Sequence, residues 1–473
     1  MTVDVVVVGA GPVGLLLASE LRLAGARPVV LERRSEPSTL PRANGLVGGI
    51  VDVLDRRGLL ERFRAVSPFA GPMPAFPFGS VPLRFGDLAD NPVSGLLVQQ
   101  PEIERLLDER AAELDTEVRR GHEVTALEQD DTGVDLDVTG PDGGYRFRAR
   151  YVVGCDGGRS PVRTLAGIGF PGTTDREVLR MGHFRSVDVS GVDLRPGWNR
   201  TARGRALVMS LHPGVHVVGV REDADPVEPG PMPLAELRDS LRRVLGHDIG
   251  LGEPIWLSRT VSQARIADAY RAGRVLLAGD AAHLFPAGGS ALNVGLVDAV
   301  NLGWKLAAEV RGSAHGGLLD TYESERRPVG ERALGHTRAQ AVLDRVTGED
   351  GAALRGLLTE VFGLDQPLRH LGEMLQGSDV RYDVPGDPHP LLGRFLPDFP
   401  LTTAAGHTRF AELLHAARPV LLDFTGSHSG VGVDVVQARS DQAPADALLV
   451  RPDGHVAWVA GPTGPEEALE RWT

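Results

Sequence analysis

Cysteine is almost missing from this chain: Cys155 stands alone among 473 residues. A single thiol forms no internal disulfide, no redox pair and no cysteine-based zinc site, so neither a disulfide framework nor thiol–disulfide chemistry is open to the chain. Positive charge is also short. Lys and Arg number 50 against 63 Asp and Glu, for a formal net charge of −13, which argues against nucleic acid or an anionic membrane surface as partner. Long apolar runs are lacking too: none reaches membrane-spanning length, and no basic stretch followed by a signal core opens the chain. The expected compartment is therefore the cytoplasm, with no membrane partner. What is present, 42% hydrophobic and 24% charged residues, is the composition of an ordinary globular protein with room for two or three domains.

Near the start stands "VVVVGAGPVG", with the spacing Gly9-x-Gly11-x-x-Gly14. Four β-branched residues in a row suit a parallel strand covered on both faces. The glycines permit a tight turn, close backbone approach to a pyrophosphate and close packing of the next helix, "LLLASELRLAGA". "RPVVLERR" then reads as a second strand. Glu32 closes it, about twenty residues beyond the loop, where a carboxylate is wanted for an adenosine ribose, and Arg33 follows. A glycine fingerprint alone is weak, but strand, helix and acidic residue together point to a dinucleotide.

Further along, "PRANGLVGGIVDVLDRRGLLERF" reads as a loop running into an amphipathic helix. The Pro-, Gly- and Phe-rich stretch 67–87 reads as short strands bordering a cavity. A helix "QPEIERLLDERAAEL" and alternating strands over 117–153 follow. "YVVGCDGGRSPVR" is a strand ending at Cys155, a turn at Asp156-Gly157, and a helix capped by Ser160 with Pro161 in its first turn. Arg159 and Arg163 are placed by this reading at the mouth of a nucleotide crevice. Segment 178–262 reads as short strands with one helix. "GRVLLAGDAAHLFPAGGSALNVGLVDAVNLGWKLAAE" is a buried strand delivering Gly279-Asp280, a loop through Pro286, and a long helix opening at 290–293. The free N–H groups and positive dipole end of that helix suit a negatively charged ring edge. His283 reads as structural. The tail carries "RPVLLDFTG" and two strands around a Pro452-Asp453-Gly454 turn, a small packing or dimerisation module.

These three spaced motifs resemble the FAD-dependent aromatic hydroxylases of the para-hydroxybenzoate hydroxylase type. The resemblance is nearest to the actinomycete branch that modifies polyketides and antibiotics, and it covers positions 1 to about 345 and, more weakly, the tail. It implies a Rossmann-type FAD-binding α/β domain (1–70, 97–177, 265–345) interleaved with a β-sheet substrate domain (71–96, 178–264). A helical connection (346–392) and a thioredoxin-like C-terminal domain without redox cysteines (393–473) complete the implied architecture. By the same resemblance, Gly9, Gly11 and Gly14 would contact the FAD pyrophosphate, Glu32 the ribose with Arg33 beside it, and Arg42 the phosphates or ribose. Gln100 and Asp280 would hold the ribityl chain, and Asp156 and Gly157 match a motif serving both FAD and the nicotinamide. Pro286 would lie beside the reactive flavin carbon, with Gly288, Gly289, Leu292 and Asn293 at the pyrimidine ring. Arg159 and Arg163 are the nicotinamide candidates; Phe76, Phe78 and Trp198 are the substrate candidates.

The implied activity is NAD(P)H- and O2-dependent hydroxylation of an aromatic polyketide, or a related phenolic or quinone compound, through a C4a-hydroperoxyflavin. NADPH or NADH acts as a transient reductant, on a monomer or homodimer. Baeyer–Villiger-type insertion and a non-catalytic binding role for the fold remain as alternatives. The chain departs from the family pattern at Ser290-Ala291, in a shorter loop after His283, and at Gly49 and Asp52, where an arginine and a glutamate are usual. A pyridine-nucleotide disulfide reductase is excluded by the lack of a second fingerprint and a cysteine pair. A flavin-dependent halogenase is excluded by the lack of a Trp-x-Trp-x-Ile-Pro stretch.

Overall fold

The computed structural model describes residues 3–190, 193–195, 197–212, 214–223, 230–286 and 291–471. Five strands run parallel through its largest sheet, in the order Val275–Leu277, Gly143–Gly154, Val3–Val8, Pro28–Glu32, Glu117–Arg120. Val5 to Val8 are buried, with Val5 opposite both Tyr151 and Pro28, so the valine run is the doubly covered central strand that its composition implies. The long helix Ala291–Arg311 lies against Pro12–Leu23 so closely that a Cβ on Gly303 would stand 2.4 Å from Cβ of Glu20. An antiparallel meander, Glu123–Gln129 and Val134–Gly140, extends the sheet beside Gly143–Gly154.

A second, six-stranded antiparallel sheet is ordered Gly197–Thr201, Gly204–His212, Val215–Asp223, Gly172–Phe184, Pro254–Ile266, His283–Leu284. The helix Leu234–Leu245 covers one face and buries Phe184, Ala206, Val218, Val220, Leu237 and Leu241 with it. On the opposite face Arg200 and Arg205 reach Asp344, near the end of the helix Thr321–Arg345. The final pairing, Arg265 opposite Leu284 and Ile266 opposite His283, joins this sheet to the segment leading into Pro286. The stretch after residue 67 does form short strands, Ala70–Pro72, Phe76–Phe78 and Val81–Leu83. The single amphipathic helix expected after "PRANGL" is instead two, Gly49–Asp55 and Leu60–Val66. Between them Gly58 has φ 66°, a left-handed conformation that ends a helix.

Helices Gly348–Phe362 and Asp365–Gln376 lead to a third sheet, ordered Gly406–Arg409, Pro400–Thr403, Asp434–Arg439, Val420–Asp423, Ala447–Val450, Val456–Val459. Its last hairpin turn is driven into the first part of the molecule. Arg451 Nη1 donates to Glu325 Oε1 at 2.7 Å, Lys305 Nζ to Glu325 Oε2 at 2.7 Å, and Asn301 Nδ2 to Asp453 at 3.2 Å. Arg57, paired with Glu20, donates to the carbonyls of Pro452 and Leu414 at 2.8 and 3.0 Å. No described helix is long and apolar enough to cross a membrane.

Burial alone would raise the Glu325 carboxyl, but Arg451 and then Lys305 hold it down to about 2; burial pulls the Lys305 ammonium down to about 8 in spite of Glu325. A carboxyl whose folded pKa lies below its ordinary 4.5 contributes stability that is fully present above that value and is lost as pH falls through about 2. Acid titration followed by urea unfolding should show stability falling across that interval. Arg451→Met removes a buried partner of the carboxylate and should cost about 3 kcal/mol at neutral pH, read from the same unfolding curves.

Candidate functional site

The first strand ends in Gly9, with φ 107°, and a Cβ there would stand 2.4 Å from the Cys155 carbonyl oxygen. A Cβ on Gly14 would stand 2.0 Å from the carbonyl oxygen of Gly9. Gly11 is different: among the described residues its Cβ would meet nothing within 4 Å. Two of the three glycines are thus demanded by the protein's own packing, and the third faces open space. Gly11 is also the N-cap of Pro12–Leu23 and gives no side-chain cap, so the helix's first N–H groups are available to an anion. Glu32 accepts from Ala10 N–H at 2.8 Å and from Arg34 N–H at 2.9 Å, clasping the loop. Arg33 and Arg42 are exposed beside it. Gln100 Nε2 donates to Glu104 at 2.8 Å, and burial raises the Glu104 carboxyl against the pull of Arg34 and Arg42. Glu32, Arg42 and Gln100, far apart in sequence, therefore gather at one end of the cleft.

The second motif closes the cleft's side. Asp156 Oδ2 accepts from Val162 N–H at 3.0 Å, while Oδ1 is buried without a partner among the described residues, and burial raises the carboxyl's pKa. Ser160 caps its helix, accepting from Arg163 N–H at 2.9 Å. Arg159 is exposed. Arg163 corrects the sequence reading. Its guanidinium is buried, donates to the carbonyls of Ala281 and Gly158 at 2.8 and 3.0 Å, and lies 3.8 Å from the Phe170 ring centre. Two of its donors and one of its faces are taken up by protein, so it ties the two motifs together and leaves Arg159 as the exposed nicotinamide candidate.

Asp280 follows Gly279 in a tight turn, open to the cleft but with protein around its other sides, and that surrounding raises its carboxyl against His283 and Arg42. Behind it, fully buried Asp298 accepts from His283 Nε2 at 2.7 Å, Arg326 Nε at 2.8 Å and Gly279 N–H at 3.2 Å. His283 is accordingly a structural residue. Pro286 is buried. Gly288 and Gly289 lie outside the described residues, as does Ser290. Ala291 is already helical, and Leu292 and Asn293 occupy the first turn, with Asn293 Oδ1 accepting from Val47 N–H at 3.1 Å. Sequence reasoning missed Asp298 and Arg326. The signal was present: Asp298, Asn301 and Lys305 fall on one side of an otherwise apolar helix.

A cavity adjoins this helix start, lined by Val47, Phe76, Asn293, Ala333, His336 and Met374 among others. Phe76 lines this cavity. Phe78 does not line it: it is buried in a core edge-on to Phe362, with ring centres 5.6 Å apart. Trp198 is exposed on the face of the second sheet turned away from Leu234–Leu245, paired with Leu207 and near Arg205 and Arg221. The unusual Gly49 and Asp52 receive the end of Asp365–Gln376. A Cβ at Gly49 would stand 2.9 Å from the Gln376 carbonyl oxygen, and Gln376 Nε2 donates to Asp52 at 2.8 Å. Burial raises the Asp52 carboxyl, opposed by Arg56.

A family model described as an FAD binding domain matches residues 2–337, and one described as the C-terminal part of aromatic-ring hydroxylases matches residues 389–473. Over 100% of its length the chain is 43% identical to a 12-dehydrotetracycline 5-monooxygenase/anhydrotetracycline 6-monooxygenase of Streptomyces rimosus, of which 99% is covered. It is 44% identical to a rifampicin monooxygenase of Streptomyces venezuelae, over 96% of this chain and 95% of that one. The solved structure of an aromatic hydroxylase from angucycline biosynthesis is 41% identical, with a TM-score of 0.91 over 100% of this chain and 99% of the other.

The glycines give a paired test. Gly11→Val should leave a folded protein, with its far-ultraviolet circular dichroism unchanged, that is purified without FAD. Gly14→Val should instead fail in folding itself. A Gly11 variant that retains its yellow colour would contradict the assignment.

Proposed function

The chain belongs to the family of FAD-binding aromatic-ring hydroxylases and is an FAD-dependent monooxygenase; from that premise we propose that it oxygenates an aromatic polyketide or a related phenolic or quinone compound. The observation that carries this reading is a mostly apolar cavity beside Asn293, in the first turn of the helix Ala291–Arg311. The donor set fits FAD: a Gly11 open and an Asp156 Oδ1 unpartnered among the described residues, and an accessible Asp280. Bound there, the cofactor supplies hydride acceptance from NADPH or NADH and activation of O2 for transfer of one oxygen atom to an electron-rich carbon.

The protein's own residues bind and orient. Gly9, Gly11 and Gly14 pass the pyrophosphate along the helix N-terminus, Glu32 accepts from the ribose, and Arg33 and Arg42 add positive charge. Gln100 and Asp280 hold the ribityl chain, and Asp156 and Gly157 serve both FAD and the nicotinamide. Leu292 and Asn293, in the first helical turn, present a helix start to the ring's negative edge, with Pro286 beside the reacting carbon; Gly288 and Gly289 stay cofactor-binding candidates by the resemblance alone. Phe76 and Trp198 are the aromatic surfaces offered to substrate. Water exclusion falls to the second sheet and the helix Thr321–Arg345. Residues 1–70, 97–177 and 265–345 form the cofactor domain, 71–96 and 178–264 the substrate domain, and 346–392 the connection.

The domain 393–473 is thioredoxin-like in this reading. Supporting it, Asp434–Arg439 and Val420–Asp423 run parallel, while Ala447–Val450 and Val456–Val459 follow antiparallel. Without cysteine the domain serves packing. The protein works in the cytoplasm as a monomer or homodimer.

Holoenzyme supplied with NADPH, 18O2 and an aromatic polyketide such as an anhydrotetracycline should yield a product carrying one labelled oxygen. An ester would indicate insertion into a ring, and NADPH consumption with hydrogen peroxide as the only product from every aromatic compound tried would count against the reading. Arg159→Ala should slow anaerobic flavin reduction by NADPH while leaving FAD bound; unchanged stopped-flow rates would remove Arg159 from the nicotinamide site.

A further inference from the structure

The hairpin formed by Phe76–Phe78 and Val81–Leu83 turns at Gly79 and Ser80, and both turn residues are bound to the helix Thr321–Arg345. Gly79 N–H donates to Gln340 Oε1 at 3.3 Å, and Ser80 Oγ donates to the Leu343 carbonyl at 3.2 Å. A Cβ on Gly79 would stand 2.7 Å from the Gln340 carbonyl oxygen, so this contact needs glycine. With its side-chain oxygen engaged by a backbone donor, Gln340 presents its NH2 group to His336 Nδ1, 3.2 Å away. Nδ1 then accepts, and the proton of the neutral imidazole sits on Nε2. Nε2 has no protein partner among the described residues, and the ring lines the cavity with Phe76, Asn293 and Met374.

We propose that His336 Nε2–H is the hydrogen-bond donor that recognises an acceptor oxygen, a ring carbonyl or a phenolate, on the aromatic substrate, and that Gly79 and Gln340 set the tautomer that makes it a donor. The proposal rests on the monooxygenase reading of the cavity and adds the group that orients the ring within it. A mostly apolar cavity leaves a flat aromatic molecule free to slide, and a fixed polar group limits its pose. Burial, with Arg332 acting in the same sense, pulls the imidazole pKa down to about 4 against the opposing Asp379, which pairs with Arg332. The ring is therefore neutral at pH 7 and keeps both the lone pair facing Gln340 and the proton facing the cavity.

Two probes separate this donor from mere packing: 5-hydroxy-1,4-naphthoquinone, which carries acceptor oxygens, and naphthalene, which has the same ring system without them. Their dissociation constants are read from the flavin absorbance of oxidised holoenzyme at neutral pH. His336→Leu should weaken the quinone by about five- to tenfold, the effect of losing one neutral hydrogen bond, and leave naphthalene unchanged. His336→Gln, which keeps an N–H donor, should restore quinone binding to within about twofold of the parent. Equal weakening of both probes, quinone affinity unchanged in His336→Leu, or a parent enzyme that does not favour the quinone would each overturn the assignment. If such a result comes from an enzyme that still forms an 18O-labelled product, only the donor role falls; absence of labelled product from every aromatic compound tried removes the aromatic-substrate reading itself.

Discussion

One buried carboxylate holds the functional parts of this molecule in register. Asp298 is fully enclosed, and such a charge is tolerated only when its lone pairs are taken up. It meets that requirement with Gly279 N–H, His283 and Arg326, and Arg326, then His283, keep its pKa below the ordinary value despite burial. Gly279 precedes Asp280, and His283 closes the last pairing of the second sheet. Arg326 continues to the Tyr382 hydroxyl at 3.0 Å, and the Tyr382 ring stacks on His455 with centres 4.1 Å apart. A single side chain thus couples the aspartate turn, the second sheet and the C-terminal domain.

The second consequence concerns that C-terminal domain. Its cysteine-free sheet carries no redox group, yet its hairpin turn supplies Arg451 and Asp453 to a fully buried polar cluster with Glu325, Lys305 and Asn301. Breaking one member leaves others charged and dry, so the helices Ala291–Arg311 and Thr321–Arg345 are fixed from behind. Those are the helices that present Asn293 and His336 to the cavity. The domain acts on the site by immobilising its walls.

Much of this was legible in the sequence where the determinants are local. The valine strand, the glycine turn, Ser160 as a cap and the helix after Ser290 each follow from a few adjacent residues. Readings failed where a side chain's environment comes from distant segments. Arg163 looks like a free phosphate ligand until Ala281 and Gly158 take its donors, and Phe78 looks like a pocket residue until Phe362 covers it. The break at Gly58 depends on one left-handed residue within an amphipathic pattern that otherwise continues. Gly49 and Asp52, which stand out against the family pattern, become intelligible once Gln376 occupies the space above them.

The claim that Asp298 positions the cofactor cleft without touching the cofactor is open to one direct measurement, the FAD dissociation constant of Asp298→Asn. Asparagine is nearly isosteric but neutral, and its amide hydrogens would face Arg326 or His283. FAD binding weaker by at least about tenfold, or ~1.4 kcal/mol, is expected in a variant whose circular dichroism remains that of the parent. Parental FAD affinity in that folded variant would contradict it.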